Sequence, residues 1–162
     1  MLKKVSLKLL TLLCLTILAA TAACASDMNI KGWEKDGKYD KLYDNTDRDV
    51  FKGRLLKIVD ITPLDGMAEG IGILVKDKED GEEVLVHLGP KDFVKPRITD
   101  LRPGVTVKVY GVLIEIDGEF EYVAAKLKAG EERKYKFRLT KDGAPFWSLS
   151  PEELAKEESD IE

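Results

Sequence analysis

The chain has 162 residues, 44% hydrophobic and 35% charged, with 26 Lys+Arg against 30 Asp+Glu and a formal net charge of −4. That length suits one globular domain with tails and excludes two large ones. The apolar residues are grouped into alternating runs that permit a core. With one long apolar stretch, no sustained heptad and only two cysteines, membrane channels, long coiled coils, collagen and disulfide-stapled miniproteins are excluded.

Residues 1–25 open with Lys3, Lys4 and Lys8, continue through an apolar block from Leu9 to Leu18, and end in Ala19-Ala20-Thr21-Ala22-Ala23-Cys24-Ala25. A cationic start, a short apolar centre and a small-residue end predict a secretory signal peptide and therefore an exported, periplasmic protein. A transmembrane anchor needs about 20 apolar residues, and this block runs 15, from Leu9 to Ala23. Two cleavage sites overlap. Ala23-Cys24-Ala25 suits ordinary signal peptidase and releases a soluble chain from Ser26, whereas Thr21-Ala22-Ala23-Cys24 resembles a bacterial lipobox, with Thr21 where Leu is usual. The second route makes Cys24 a lipidation candidate and gives the only membrane attachment expected. Either route removes Cys14 and leaves no internal disulfide, so stability must come from the core. Losing the three leader lysines leaves 23 basic residues against 30 acidic ones, a net charge of −7. Such a balance argues against a nucleic-acid partner unless one surface is locally positive.

The extension 26–49 is polar and turn-rich but carries Trp33, Tyr39, Leu42 and Tyr43. These rings are expected to pack on the body, the alternative being an exposed aromatic platform. A β-rich domain follows over 50–148. Val50 to Ile61 reads as a long first strand that can bend or bulge at Gly53 and that ends at Thr62-Pro63. Gly70 to Lys76 and Glu82 to Leu88 flank Asp80-Gly81 and form a first hairpin; Val105 to Ile116 and Glu119 to Lys128 flank Asp117-Gly118 and form a second. Between the hairpins, Lys91 to Gly104 holds Pro96 and Pro103, which allows one short helical turn. Glu131 to Leu139 and Ala144 to Trp147 read as extended pieces joined by a turn at Thr140 to Gly143, with Phe146-Trp147 expected to close one end of the body. In the acidic tail, 149–162, Ser150-Pro151-Glu152-Glu153 is a capping box that starts a short helix. Two hairpins, an irregular connector and a long bent first strand predict an all-β fold: a five-stranded OB-like Greek-key barrel with a short C-terminal helix. An open β-sandwich is the rival, for which five strands are few.

Several of these segments, taken together, resemble a known family. Gly32-Trp33 with Tyr39 and Leu42-Tyr43-Asp44, Thr62-Pro63-Leu64-Asp65-Gly66-Met67, Val86-His87-Leu88-Gly89-Pro90, and Asp142-Gly143-x-Pro145-x-Trp147-Ser148 are similar to small exported bacterial OB-type proteins and to the C-terminal domain of the magnetosome proteins MamS and MamX. Proteins of the first group are often labelled hypothetical or DNA-binding. The resemblance spans Gly32 to Ser148 and implies a fold and an address, but its motifs include no catalytic signature. It also implies covalent haem for the MamX type, through Cys-x-x-Cys-His. This sequence lacks that motif, so no cofactor is expected.

The chemical inventory is short. His87 is the only histidine, which excludes histidine-rich metal sites and paired imidazoles. Strict alternation puts it on the face of Leu85, opposite Val84, Val86 and Leu88, pointing outward near the mouth of the barrel. There it would be either a ligand- or proton-handling group or a histidine bonded to nearby backbone. No Gly-x-Ser-x-Gly elbow occurs, so no enzyme is expected. Asp77 to Glu83 is rich in carboxylates but lacks the twelve-residue calcium-loop pattern, and Gly66 to Gly72 is glycine-rich but lacks the lysine and helix of a phosphate cradle. No metal site is expected. OB barrels bind across strands two and three, between the loops joining strands one to two and four to five. That places Met67, His87 and Tyr110 as candidate ligand contacts, with Lys91, Lys95 and Arg97 as a modest basic cluster on the connector. Strands two and three show Ile, Leu, Val and Glu rather than rings interleaved with Lys and Arg, so nucleic acid is not the expected partner. The expectation is a non-catalytic binding or accessory protein of the cell envelope, taking a partner protein or small ligand. The alternatives are a nucleic-acid or polyanion binder, which a basic stripe on strands two and three would favour, and a periplasmic metal or redox accessory, for which His87 needs carboxylate or Met67 neighbours.

Overall fold

The computed structural model describes residues 27–159; the expected signal peptide, both cleavage sites and Cys24 lie outside the described residues. The strands are β1 (Arg48–Ile61), β2 (Gly70–Asp77), β3 (Glu83–Pro90), β4 (Thr106–Ile116), β5 (Glu119–Ala129) and β6 (Arg133–Lys136). Helix α1 (Lys91–Val94) follows β3 and continues as a 3-10 turn, Lys95–Arg97, and α2 (Pro151–Ser159) ends the described chain. The α2 start is the expected capping box: Ser150 N–H donates to Glu153 Oε2 at 3.0 Å and Glu153 N–H to Ser150 Oγ at 3.3 Å.

The sheet order is β3-β2-β1-β4-β5-β6. Residue pairs run Arg48↔Val112 to Arg54↔Thr106 between β1 and β4, and Gly53↔Asp77 to Ile61↔Gly70 between β1 and β2. Gly53 belongs to both registers, and a Cβ there would collide with the Lys76 carbonyl and the Val75 side chain. Its role is therefore close approach at the crossover; the register slip itself lies between Leu55 and Lys57. Asp117 (φ 52°) and Gly118 (φ 84°) are both left-handed, as a tight hairpin turn with the native strand twist requires.

The sheet curls until β3 meets β5 in parallel, through Val86↔Tyr122 and His87↔Val123. The ring β1-β2-β3-β5-β4 thus returns on itself, but the seam is only two residue pairs long. Two corrections follow: there are six strands rather than five, and the curled sheet is not a clean barrel. The sixth arises because Gly130 (φ 64°) reverses the chain, so that Arg133–Lys136 pairs with β5 from Lys126↔Lys136 to Ala129↔Arg133. Inside the curl Leu55, Ile73, Val75, Val86, Leu88, Val107, Val109 and Leu127 are buried, the apolar burial that drives folding.

The rings of the extension join this core. Trp33 and Tyr39 are buried; Trp33 Nε1–H donates to the Ala68 carbonyl at 2.9 Å, and Trp147 Nε1–H donates to the Trp33 carbonyl at 2.7 Å. Trp33 and Trp147 meet edge to face at 6.0 Å, and Trp147 meets Phe93 at 5.7 Å. The extension around Trp33 and the segment around Trp147 are thereby clamped on the same end of the body. Gly70 and Gly89 admit the clamp, since a Cβ at either would run into Trp33 or Trp147 respectively.

Candidate functional site

A cleft of about 450 Å3 opens between three segments: Lys31, Gly32, Lys38 and Tyr39 of the extension, Thr62 to Met67 of the β1–β2 loop, and Asp117 of the β4–β5 turn. Asp65, Gly66 and Met67 form a turn whose Met67 N–H donates to the Leu64 carbonyl at 3.2 Å. Ala68 N–H, donating to the Lys31 carbonyl at 2.8 Å, ties that loop to the extension. Met67 lies over Gly32, where any Cβ would clash with it.

Tyr39 connects this cleft to the interior. Its hydroxyl lies 2.8 Å from His87 Nδ1, and His87 Nε2 lies 2.8 Å from Glu121 Oε2. His87 is 1% exposed and Glu121 22%, so the three-residue chain meets water at its carboxylate end. Burial pushes the His87 ring down to about 4 and the Tyr39 phenol far above its usual range, against the opposing pull of Arg138. Glu121 is raised by burial and by nearby Glu119. A neutral ring completes the chain: Nε2–H donates to the carboxylate, and Nδ1 accepts from the phenol. Every polar atom of the imidazole is then satisfied, as a buried group requires.

His87 therefore does not point outward. Alternation along β3 fails because Val86 through Pro90 are all buried: the curl covers one face, and the extension's Tyr39 together with β5 covers the other. Its partners are side chains rather than backbone. The sequence points to Tyr39 only as a packing ring and gives no sign of Glu121, because neither forms a local motif with His87.

The remaining candidates are scattered. Met67 lines the cleft. Tyr110 lies on the outer face of β4, with the ammonium groups of Lys126, Lys108 and Lys128 at 4.1, 5.0 and 5.9 Å from its ring centre. Lys91 is held by Asp60 at 3.1 Å and Glu69 at 3.0 Å. Arg97 stacks on Phe93 at 3.7 Å and pairs with Glu158 at 2.9 Å. Lys91 and Lys95 line a separate groove of about 400 Å3 with Ile58, Ile71 and Ile98. At the β2–β3 turn, Asp77 and Asp80 carboxylates accept from Glu79 and Glu82 N–H groups at 2.7 and 2.9 Å, which makes them turn-forming. Among the described residues no group of three or more His, Cys, Asp or Glu side chains is placed to hold a metal, and no helix is long and apolar enough to cross a membrane.

The molecule is thus a mostly β domain with a loop-framed cleft above an internally satisfied Tyr-His-Glu chain. It belongs to the MamS/MamX magnetosome protein family, whose model matches residues 48–134. The matched stretch holds His87 and Glu121, while Tyr39 and Trp147 lie outside it. No curated protein matches the chain. Among solved structures, it is similar to a chain of the Stn1-Ten1 complex of S. pombe at 19% identity and a TM-score of 0.41, over 51% of this chain and 57% of that one. The chain spans little more than half the length of that structural relative.

Proposed function

We propose that this family member is an exported, non-catalytic OB-type accessory domain of the cell envelope, which receives a partner protein or small ligand in the cleft between the extension, the β1–β2 loop and the β4–β5 turn. The observation that carries the reading is the cleft's framing by the β1–β2 loop and the β4–β5 turn, the two segments that frame ligands on OB barrels. The ring order β1-β2-β3-β5-β4 supports the OB assignment, and the leader composition supports export. The non-catalytic part rests on the chemistry beneath the cleft. His87 and Tyr39 are each 1% exposed, the ring is a weak base held at about 4, and burial keeps the phenol protonated, so neither is placed to act on a molecule in the cleft as base or nucleophile.

Two measurements in the native host test this reading. A photo-crosslinking residue in place of Met67 should yield a discrete adduct that the same residue in place of Lys57, on the outer strand face, does not yield. The same adducts from both positions, or none from Met67, would remove the cleft as the binding site. Intact mass should give a chain starting at Ser26 or an acylated Cys24, and a mass that retains Met1 would overturn export.

A further inference from the structure

The cross-strand registers assemble a cationic face that no stretch of the sequence displays. On the outer side of the sheet Lys52 stands opposite Lys108, Lys108 opposite Lys128, and Lys128 opposite Lys134. One step along the strands Val50, Tyr110, Lys126 and Lys136 form a second row. Neighbouring strands are about 4.8 Å apart, so the ammonium groups repeat at short range across four strands. Like charges directly opposite one another destabilise a sheet, and here four such pairs occur in a protein whose net charge is −4. Among the described residues, only Lys136 of the six has a carboxylate within 4.0 Å, Glu157 at 3.8 Å. Asp77, Glu79 and Glu131 stand at the rims of two shallow grooves, of about 410 and 350 Å3, beside Lys52 and Lys108. The Tyr110 phenol is held below its usual range by its hydrogen bond to Lys108 and by the neighbouring lysines, and Lys126 is lowered by burial and by Lys128, Lys136 and Lys108. In both groups the neighbouring ammonium charges add to a larger local cause, the Lys108 hydrogen bond for Tyr110 and burial for Lys126.

We propose that this face docks the domain on an anionic membrane surface. The occupant follows from the shape and chemistry of the patch. The charges spread in two dimensions over β1, β4, β5 and β6, which suits a plane of headgroups. The β1 side of the face holds exposed Val50 beside Tyr110, an apolar and aromatic pair of the kind that sits at membrane interfaces. A single-stranded nucleic acid would need open rings for stacking, and the one ring on this face is surrounded by three ammonium groups. None of the residues lining the cleft belongs to this face, so the inference stands apart from the ligand reading.

The test is co-sedimentation of a chain from Ser26 to Glu162, which holds every described residue and no leader, with vesicles of equal parts phosphatidylglycerol and phosphatidylcholine, and with phosphatidylcholine alone. Binding to the anionic vesicles that weakens with salt is expected, with the triple variant Lys52→Gln, Lys108→Gln, Lys128→Gln losing about 100-fold in partition. Loss of fold cannot mimic this, because removing opposed like charges should leave the melting temperature unchanged or raised, and the triple Lys→Arg variant should bind as the parent does. Equal binding to both vesicles, salt-independent binding, undiminished binding by the Gln variant, or tighter binding to a single-stranded oligonucleotide than to anionic vesicles would each overturn the proposal.

Discussion

Acid should weaken this protein through one residue. His87 is folded with a value near 4 and has an ordinary value of about 6.5 when exposed. Between those limits the unfolded chain binds a proton that the folded chain refuses, so stability falls as pH drops below about 6.5 and the loss levels off below about 4. At about 1.4 kcal/mol per pH unit, the loss is about 2 kcal/mol by pH 5 and about 3 kcal/mol at completion, a large share of the 5–15 kcal/mol typical of a domain. The geometry gives the reason. A proton on Nδ1 would make that atom a donor, turn the Tyr39 hydroxyl into its acceptor and leave the phenolic proton without a partner. Glu121 acts with the opposite sign: its folded value is raised, so its cost at neutral pH is relieved as pH falls through that raised value, which offsets part of the His87 loss at the acid end. The assay is urea unfolding at pH 7 and pH 5 for the wild type and for His87→Gln, with the difference between their pH dependences assigned to the imidazole. Because the chain holds one histidine, an NMR titration also reports a single ring. A His87 value at or above 6.5, or equal acid losses in the two proteins, would refute the reasoning, and would mean that attraction to Glu121 at 2.8 Å outweighs desolvation.

Trp33→Ala should cost about 3–5 kcal/mol in urea unfolding, because the ring is buried and its Nε1–H bond to Ala68 holds the extension to the β1–β2 loop. Gly89→Ala should cost several kcal/mol and alter the near-ultraviolet circular dichroism of Trp147, since φ is 147° and the new methyl meets that indole. Asp40→Asn should cost about 3–5 kcal/mol: its carboxylate faces Arg138 at 2.6 Å, and the Arg138 side chain is only 1% exposed. Arg138→Met should cost less than Asp40→Asn, although it also removes the Nη1 bond to the Gly143 carbonyl, because the charge it leaves unpaired is the 12% exposed Asp40 rather than the 1% exposed guanidinium and the methionine keeps contact with the Tyr43 and Trp147 rings that Arg138 covers at 4.5 and 5.6 Å.

A division between local and long-range information explains what the sequence disclosed. Asp117-Gly118 and the Ser150 capping box were legible because each is a contract between residues at most three apart, enforced by backbone geometry. Both hairpins followed, with ends correct to within two residues. The exposure of His87 was misread because alternation assumes that one face of a strand is wet, and that assumption failed where a seam two residue pairs long brings β5 alongside β3 and where Tyr39, 48 positions earlier, lays its ring on the imidazole. Glu121 carried no local signal at all: Glu119 and Glu121 alternate identically in the sequence, and only the parallel register His87↔Val123 selects the second. The lysine face was hidden for the same reason. Lys52, Lys108, Lys128 and Lys134 lie on four strands, β1, β4, β5 and β6, whereas the OB type directs attention to strands two and three. Composition adds these charges to a net acidic sum, whereas the field felt by a partner depends on where registers place them. For a small curled sheet, pairing order is therefore the quantity that turns a readable fold into a readable surface.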